Sequence, residues 1–320
     1  MERGISGLRL GAQQAIGLQI AYNFVDNLCP CLGADVKHLL HAIFYTFNDR
    51  IFTMLRRTFA QKSITFTTLF IAACAISTGA TAQTALDDVM KAKLLKVAIP
   101  TDSAPYGYVG TDLKPIGLDI EMANYIGAKL GVAVELVPVT SANRIPALQT
   151  KKADLVISTL GKNAEREKVI DFTIAYSPFF QAVFGAKTMQ AKSFADLANK
   201  SVGVTRGAME DQELGKVAPA SVDTKRFEDN NATIAAFVAG QVQFVALGAS
   251  VAGNMMAKNP QLATEFKLLL KDSPNFIGVG KGEDKLRLKV NDIIAEAKKN
   301  GDIDKMANKW LGRPAGDLPN

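Results

Sequence analysis

Two short segments carry the side chains best suited to chemistry: Thr140-Ser141-Ala142-Asn143-Arg144-Ile145-Pro146 and, further on, Glu165-Arg166-Glu167. Each places an arginine near the start of a helical pattern. A guanidinium grips a carboxylate with two parallel hydrogen bonds and keeps its charge at any physiological pH. The pair therefore points to recognition of an organic anion. The plainer alternative is that both arginines are solvated surface charges.

The rest of the composition removes competing chemistries. Both histidines, His38 and His41, and all three cysteines, Cys29, Cys31 and Cys74, lie before residue 83. Met54-Leu55-Arg56-Arg57, the apolar run 64–76 and Ala80-Thr81-Ala82 have the order of a secretory signal peptide. The expectation is a leader over 54–82, exported to the periplasm, with 1–53 an upstream extension that is not native. Ile71-Ala72-Ala73-Cys74 also has the form of a lipoprotein box, so lipid anchoring at Cys74 stays open. Cys29-Pro30-Cys31 lacks the further ligands a metal site needs.

Cleavage after Ala82 would leave 238 residues with 30 basic and 27 acidic side chains, a net charge of +3, and neither Cys nor His. Thiol catalysis, Ser-His and Cys-His nucleophilic systems and ordinary zinc sites are thereby excluded from that part. No stripe of basic residues interleaved with aromatics is present, so nucleic acid is not expected as a partner. No cofactor and no metal are expected either.

The elements that must hold the arginines follow from hydrophobic period and punctuation. Strands are expected at 94–99, 134–139, 154–158, 201–205, 221–226, 244–247 and 276–280. Helices are expected at 118–130, 144–150, 164–169, 209–216, 231–239, 250–257, 284–299 and 303–310. This alternation implies α/β architecture with mainly parallel sheets. Two lobes joined by two crossovers, near 184–187 and 277–281, is the simplest topology. Lobe 1 would then comprise 83–184 and 279–320, and lobe 2 would comprise 185–278. A cleft between such lobes is where a small ligand binds and around which hinges close.

This pattern resembles the bacterial extracellular solute-binding proteins of polar amino-acid ABC importers (family 3), over nearly all of 94–312. The resemblance rests on Ala104-Pro105-Tyr106, Gly117-Leu118-Asp119-Ile120, Ile145-Pro146-Ala147-Leu148 and Ala153-Asp154-Leu155-Val156-Ile157-Ser158. Glu165-Arg166-Glu167 ahead of Asp171-Phe172, and Gly301 with Lys309-Trp310-Leu311-Gly312, complete it. The segment around Arg144 is similar to the glutamate/aspartate-binding branch. The fold implied is the type II two-lobed periplasmic-binding-protein fold.

The resemblance also implies site roles. Arg166 would hold the ligand α-carboxylate, with Thr159 and Gly161 on the preceding turn. Arg144 would meet a side-chain carboxylate, with Ser141 beside it. Tyr106, seconded by Tyr108, is either an aromatic wall or a packing ring. From lobe 2, the turn holding Arg206, Gly207 and Met209 would supply backbone amides, and Arg206 would face either the cleft or solvent. Gly248 stands where the family carries an ammonium-binding aspartate. Glu210 or Asp211 could replace that acid, or both could be ordinary first-turn helix acids.

The function implied is capture of a small, acidic amino acid and its delivery to an inner-membrane ABC permease by a monomer. A binder of another small carboxylate, a dehydratase-like enzyme with Glu210 as its acid, and a sensory domain are the alternatives.

Overall fold

A computed structural model describes residues 84–319, which build two five-stranded sheets and a small three-stranded one. The signal peptide, the upstream segment, Cys74 and the Cys29/Cys31 and histidine readings lie outside the described residues. Among the described residues no helix is long and apolar enough to cross a membrane.

The first lobe begins with helix α1 (Ala85–Ala92) and strand β1 (Leu94–Ile99). Strand β1 alternates: Leu95, Val97 and Ile99 enter one apolar cluster and Ala98 the other, on the opposite sheet face. Both faces are covered, which is why the strand reads as a nearly continuous apolar run. Short strands β2 (Asp102–Ser103), β3 (Gly107–Val109) and β4 (Pro115–Ile116) form the small sheet. Helix α2 (Leu118–Leu130) follows, with Asp119 and Glu121 in its first turn and Gly131 in the left-handed conformation at its end. Strand β5 (Ala133–Pro138), helix α3 (Arg144–Gln149), the two-residue strand β6 (Leu155–Val156), helix α4 (Ala164–Glu167) and strand β7 (Ile170–Ser177) complete this half.

The second lobe holds β8 (Phe180–Ala186), β9 (Ser201–Thr205), α5 (Met209–Val217), β10 (Asp223–Phe227), α6 (Asn230–Val238), β11 (Phe244–Gly248), α7 (Ala249–Lys258) and β12 (Thr264–Asp272). Strand β13 (Asn275–Gly280) returns to the first sheet, and α8 (Asp284–Lys299) and α9 (Asp302–Leu311) pack on it. Sheet orders are β5-β1-β6-β13-β7 and β10-β9-β11-β8-β12.

Two expectations need correction. The sheets are mixed, not mainly parallel: β13 runs antiparallel to β6 and β7, and β8 antiparallel to β11 and β12. The strands that carry the chain between the sheets enter each one reversed. The crossings themselves fall at Pro178-Phe179 and Ser273-Pro274, between β7 and β8 and between β12 and β13, not at 184–187 and 277–281. The expected lobe boundary at 184 falls inside the apolar run 180–186. Its pairing with β11 and β12 puts it wholly in the second, and a proline marks each true crossing.

Candidate functional site

Arg144 is the first residue of α3, directly after a single 3₁₀ turn at Ser141–Asn143, and only 5% of its surface is exposed. Its Nη2 donates to Ser141 Oγ, and its Nη1 lies 3.5 Å from the Thr159 carbonyl oxygen. Burial lowers its pKa, while Asp102, Glu210 and Asp119 raise it. Arg166 is still more enclosed, at 3% exposed. Its backbone N–H is capped by the Asn163 side chain at 2.9 Å, which starts α4 and aims the guanidinium inward. Nη1 donates to Gly161 O at 2.8 Å and Nη2 to Gly207 O at 3.2 Å. Burial and the neighbouring Arg144 cation pull its pKa down to about 10. The Nε of both arginines is buried without a hydrogen-bond acceptor among the described residues.

Thr159 explains how β6 delivers these contacts. Its φ is +42, in the left-handed region that costs a β-branched residue about 1–3 kcal/mol. The Asp119 carboxylate secures the bend: Oδ2 accepts from Thr159 N at 2.9 Å and Oδ1 from the Tyr176 hydroxyl at 2.6 Å. Asp119 is fully buried, and burial raises its pKa to about 6 despite those bonds and Arg144.

The lobes are clasped on both sides of the arginines. On one side Asp102 Oδ2 accepts from Asn230 N at 2.7 Å, and Asn230 Nδ2 donates to Ser103 Oγ at 2.9 Å. On the other, Asn163 Nδ2 donates to Gln212 Oε1 at 2.8 Å and approaches Met209 Sδ at 3.5 Å. Between them Gly207, with φ of +71, comes so close to Ala142 that an added Cβ would stand 2.9 Å from the Ala142 Cα. Only glycine fits there, on both conformational and steric grounds.

The expected lobe-2 contacts are rearranged. Arg206 is exposed and aims no third cation inward. The inward position at that strand end belongs to Thr205, whose hydroxyl bonds Asn230 Oδ1 and Thr233 Oγ1, both at 2.8 Å. Gly207 N–H is taken by Asp211 Oδ2 at 3.1 Å and Ala208 N–H by Thr205 O, so neither amide faces a ligand. Asp211 also pairs with Arg226 at 2.8 Å, which leaves Glu210 as the acid turned inward. Glu210 is buried, which raises its pKa, while Arg144 and Arg166 pull it down. That burial is not legible in the sequence.

Tyr106 is completely buried, its hydroxyl donating to Pro178 O at 2.6 Å and its ring packed edge-on to Phe179 at 5.2 Å. It is the packing ring, not a wall. Phe179, buried in the same cluster, packs against Gly248 so closely that a side chain there would run into its ring. Three residues at or beside the crossings were missed by sequence reasoning. Gln181 and Asn275 are buried with unpartnered amide atoms, and Ser273 lies beside Gly161. Their only sequence signal is a polar residue within an apolar run next to a proline.

The sequence profile of the bacterial extracellular solute-binding proteins, family 3, matches residues 95–313, which includes both arginines and both crossings. The chain belongs to that family. An L-cystine-binding protein of Escherichia coli (strain K12) is 26% identical over 230 residues, covering 71% of this chain and 86% of the relative. The glutamate/aspartate import solute-binding protein of the same strain is 26% identical over 251 residues, covering 72% and 80%. Among solved structures, an ancestral arginine-binding protein bound to arginine superposes with a TM-score of 0.66 at 34% identity, covering 69% of this chain and 99% of that one. These family 3 relatives differ in their named ligands, so the family alone leaves the solute open.

Proposed function

We propose that this chain is the periplasmic binding component of an ABC importer, and that it captures a small acidic amino acid or a closely related carboxylate. One observation carries the choice of an anion: two buried guanidinium groups, each with an unpartnered Nε, meet at the junction of the two lobes. A buried charged donor without an acceptor is costly, and a ligand carboxylate removes that cost with charge-assisted bonds. Arg166, collared by carbonyls from both lobes, serves as the clamp for one carboxylate. Arg144 and Ser141 serve the second. The lobes open about Pro178-Phe179 and Ser273-Pro274 and close on the ligand, and the closed form docks on an inner-membrane permease. The glutamate/aspartate relative supports the acidic preference, while the arginine- and cystine-binding relatives make it a reading that needs its own measurement.

Binding is proposed rather than turnover. Glu210, the acid a dehydratase would need, interacts with Arg144 and Arg166.

Titration calorimetry against single amino acids and dicarboxylates tests the assignment. Glutamate, aspartate or an analogue should bind, and Arg166→Ala should weaken that binding by about 2–4 kcal/mol. Binding of lysine or arginine alone, or an unaltered affinity in the variant, would defeat it.

A further inference from the structure

At the base of the cleft, beside the Arg166 clamp, stands a second polar cluster. Gln181 is the second residue of β8 just past the Pro178-Phe179 crossing, is 1% exposed, and has neither Nε2 nor Oε1 hydrogen-bonded among the described residues. Asn275 opens β13 just past the other crossing and is fully buried. Its Nδ2 donates to Ser177 Oγ at 3.0 Å, and its Oδ1 is unpartnered. Gly161 joins both to the clamp. Its carbonyl receives Arg166, its backbone bridges Asn275, and a Cβ built on it would lie 3.7 Å from Gln181 Nε2. Buried amides are ordinarily paired, because an unmade bond keeps its desolvation cost. Two such side chains converging on one glycine mark a place for a hydrogen-bonding group.

The acids in reach are otherwise engaged. Asp119 is held by Thr159 N and Tyr176, Asp102 by Asn230, and Asp211 by Gly207 N and Arg226. Glu210 is drawn toward Arg144 and Arg166, and the unpaired oxygens beside Gly161 are those of the neutral amides Gln181 and Asn275. Resting on the reading of Arg166 as a carboxylate clamp, we propose that Gln181 and Asn275 form an uncharged subsite for the amino or hydroxyl substituent beside the clamped carboxylate. The protein then takes 2-amino- and 2-hydroxycarboxylates alike, since an amide oxygen accepts from either donor without requiring its charge.

Calorimetry with L-glutamate, 2-hydroxyglutarate and glutarate separates the outcomes. The first two should bind the wild-type protein about tenfold more tightly than glutarate, and Gln181→Met should shrink that preference to about threefold or less while sparing glutarate. A preference that persists in Gln181→Met, or an equal loss for all three ligands, overturns the subsite and leaves the clamp standing. Loss of all binding in Arg166→Ala supports the clamp independently; failure of the wild-type protein to bind any of the three removes clamp and subsite together. Should Gln181→Met not fold, a crystal structure of the wild-type protein with L-glutamate decides. The Gln181 amide within about 3 Å of the ligand amino group is expected, and an amide bonded only to water or protein refutes the proposal.

Discussion

The Arg166 guanidinium donates to the carbonyl of Gly207 at 3.2 Å, so a side chain of the first lobe is bound to the backbone of the second. The same Gly207 presses on Ala142, two residues before Arg144. Lobe contact and arginine placement are therefore one geometric condition. Closing the cleft assembles the anion site, and an anion on the arginines would in turn favour closure.

Gly207→Ala tests that coupling. The substitution forces a Cβ onto a φ of +71 and toward the Ala142 Cα at 2.9 Å, a strain of about 1–2 kcal/mol before any clash. Small-angle scattering of the liganded variant should show a larger radius of gyration than the wild type, with ligand affinity lowered tenfold or so. An unchanged radius and affinity would mean that lobe contact here is incidental.

Gly248→Asp should fail for a packing reason. The new Cβ would overlap the Phe179 ring, and overpacking of this kind costs about 1–3 kcal/mol. The thermal midpoint should drop in the single variant and recover in Gly248→Asp/Phe179→Ala. Absence of recovery in the double variant would show that Phe179 is not the obstacle.

Among the described residues Glu210 is the acid that acts on both arginines, and Glu210→Gln removes its charge. Ionised Glu210 competes with a ligand anion, and burial raises its pKa, so wild-type affinity for an acidic ligand should rise as the pH falls and Glu210 takes up a proton. The variant should bind more tightly at higher pH and lose that trend. Weaker binding by the variant at every pH would instead make Glu210 a direct ligand contact.

Asp119 gives a stability signature with a defined sign. Burial raises its pKa from 3.8 to about 6 in the folded chain, so the folded form binds the proton more tightly than the unfolded one. Its contribution is fully present below pH 3.8 and is lost as the pH rises to about 6. Denaturant unfolding across that window should show the loss in the wild type and not in Asp119→Asn. A variant with the same pH profile would place the titration elsewhere.

Much of the scaffold was legible because hydrophobic period survives in isolation. Strand β1, helix α2, helix α3, β9 and helix α8 fall within a residue or two of where pattern and punctuation put them. Arg144 and Arg166 could be singled out because helix starts and proline-marked turns are local signals. Strands β7, β8 and β12 were missed or misassigned because an apolar run does not say which sheet will receive it. That depends on pairing partners such as Leu247, which lies opposite Ala182.

What the sequence alone determined is what local chemistry can specify: an α/β chain of alternating elements, and two permanently charged forks at helix starts. Only the tertiary structure decided which side chains share a space. It sent Arg206 outward and Glu210 inward, set Phe179 against Gly248, and brought Gln181 beside Gly161 from the far side of a crossing. The reason is physical. Burial, the loss of a hydrogen-bond partner and a shifted pKa arise from distances between residues remote in the chain, and no spacing along it encodes those distances.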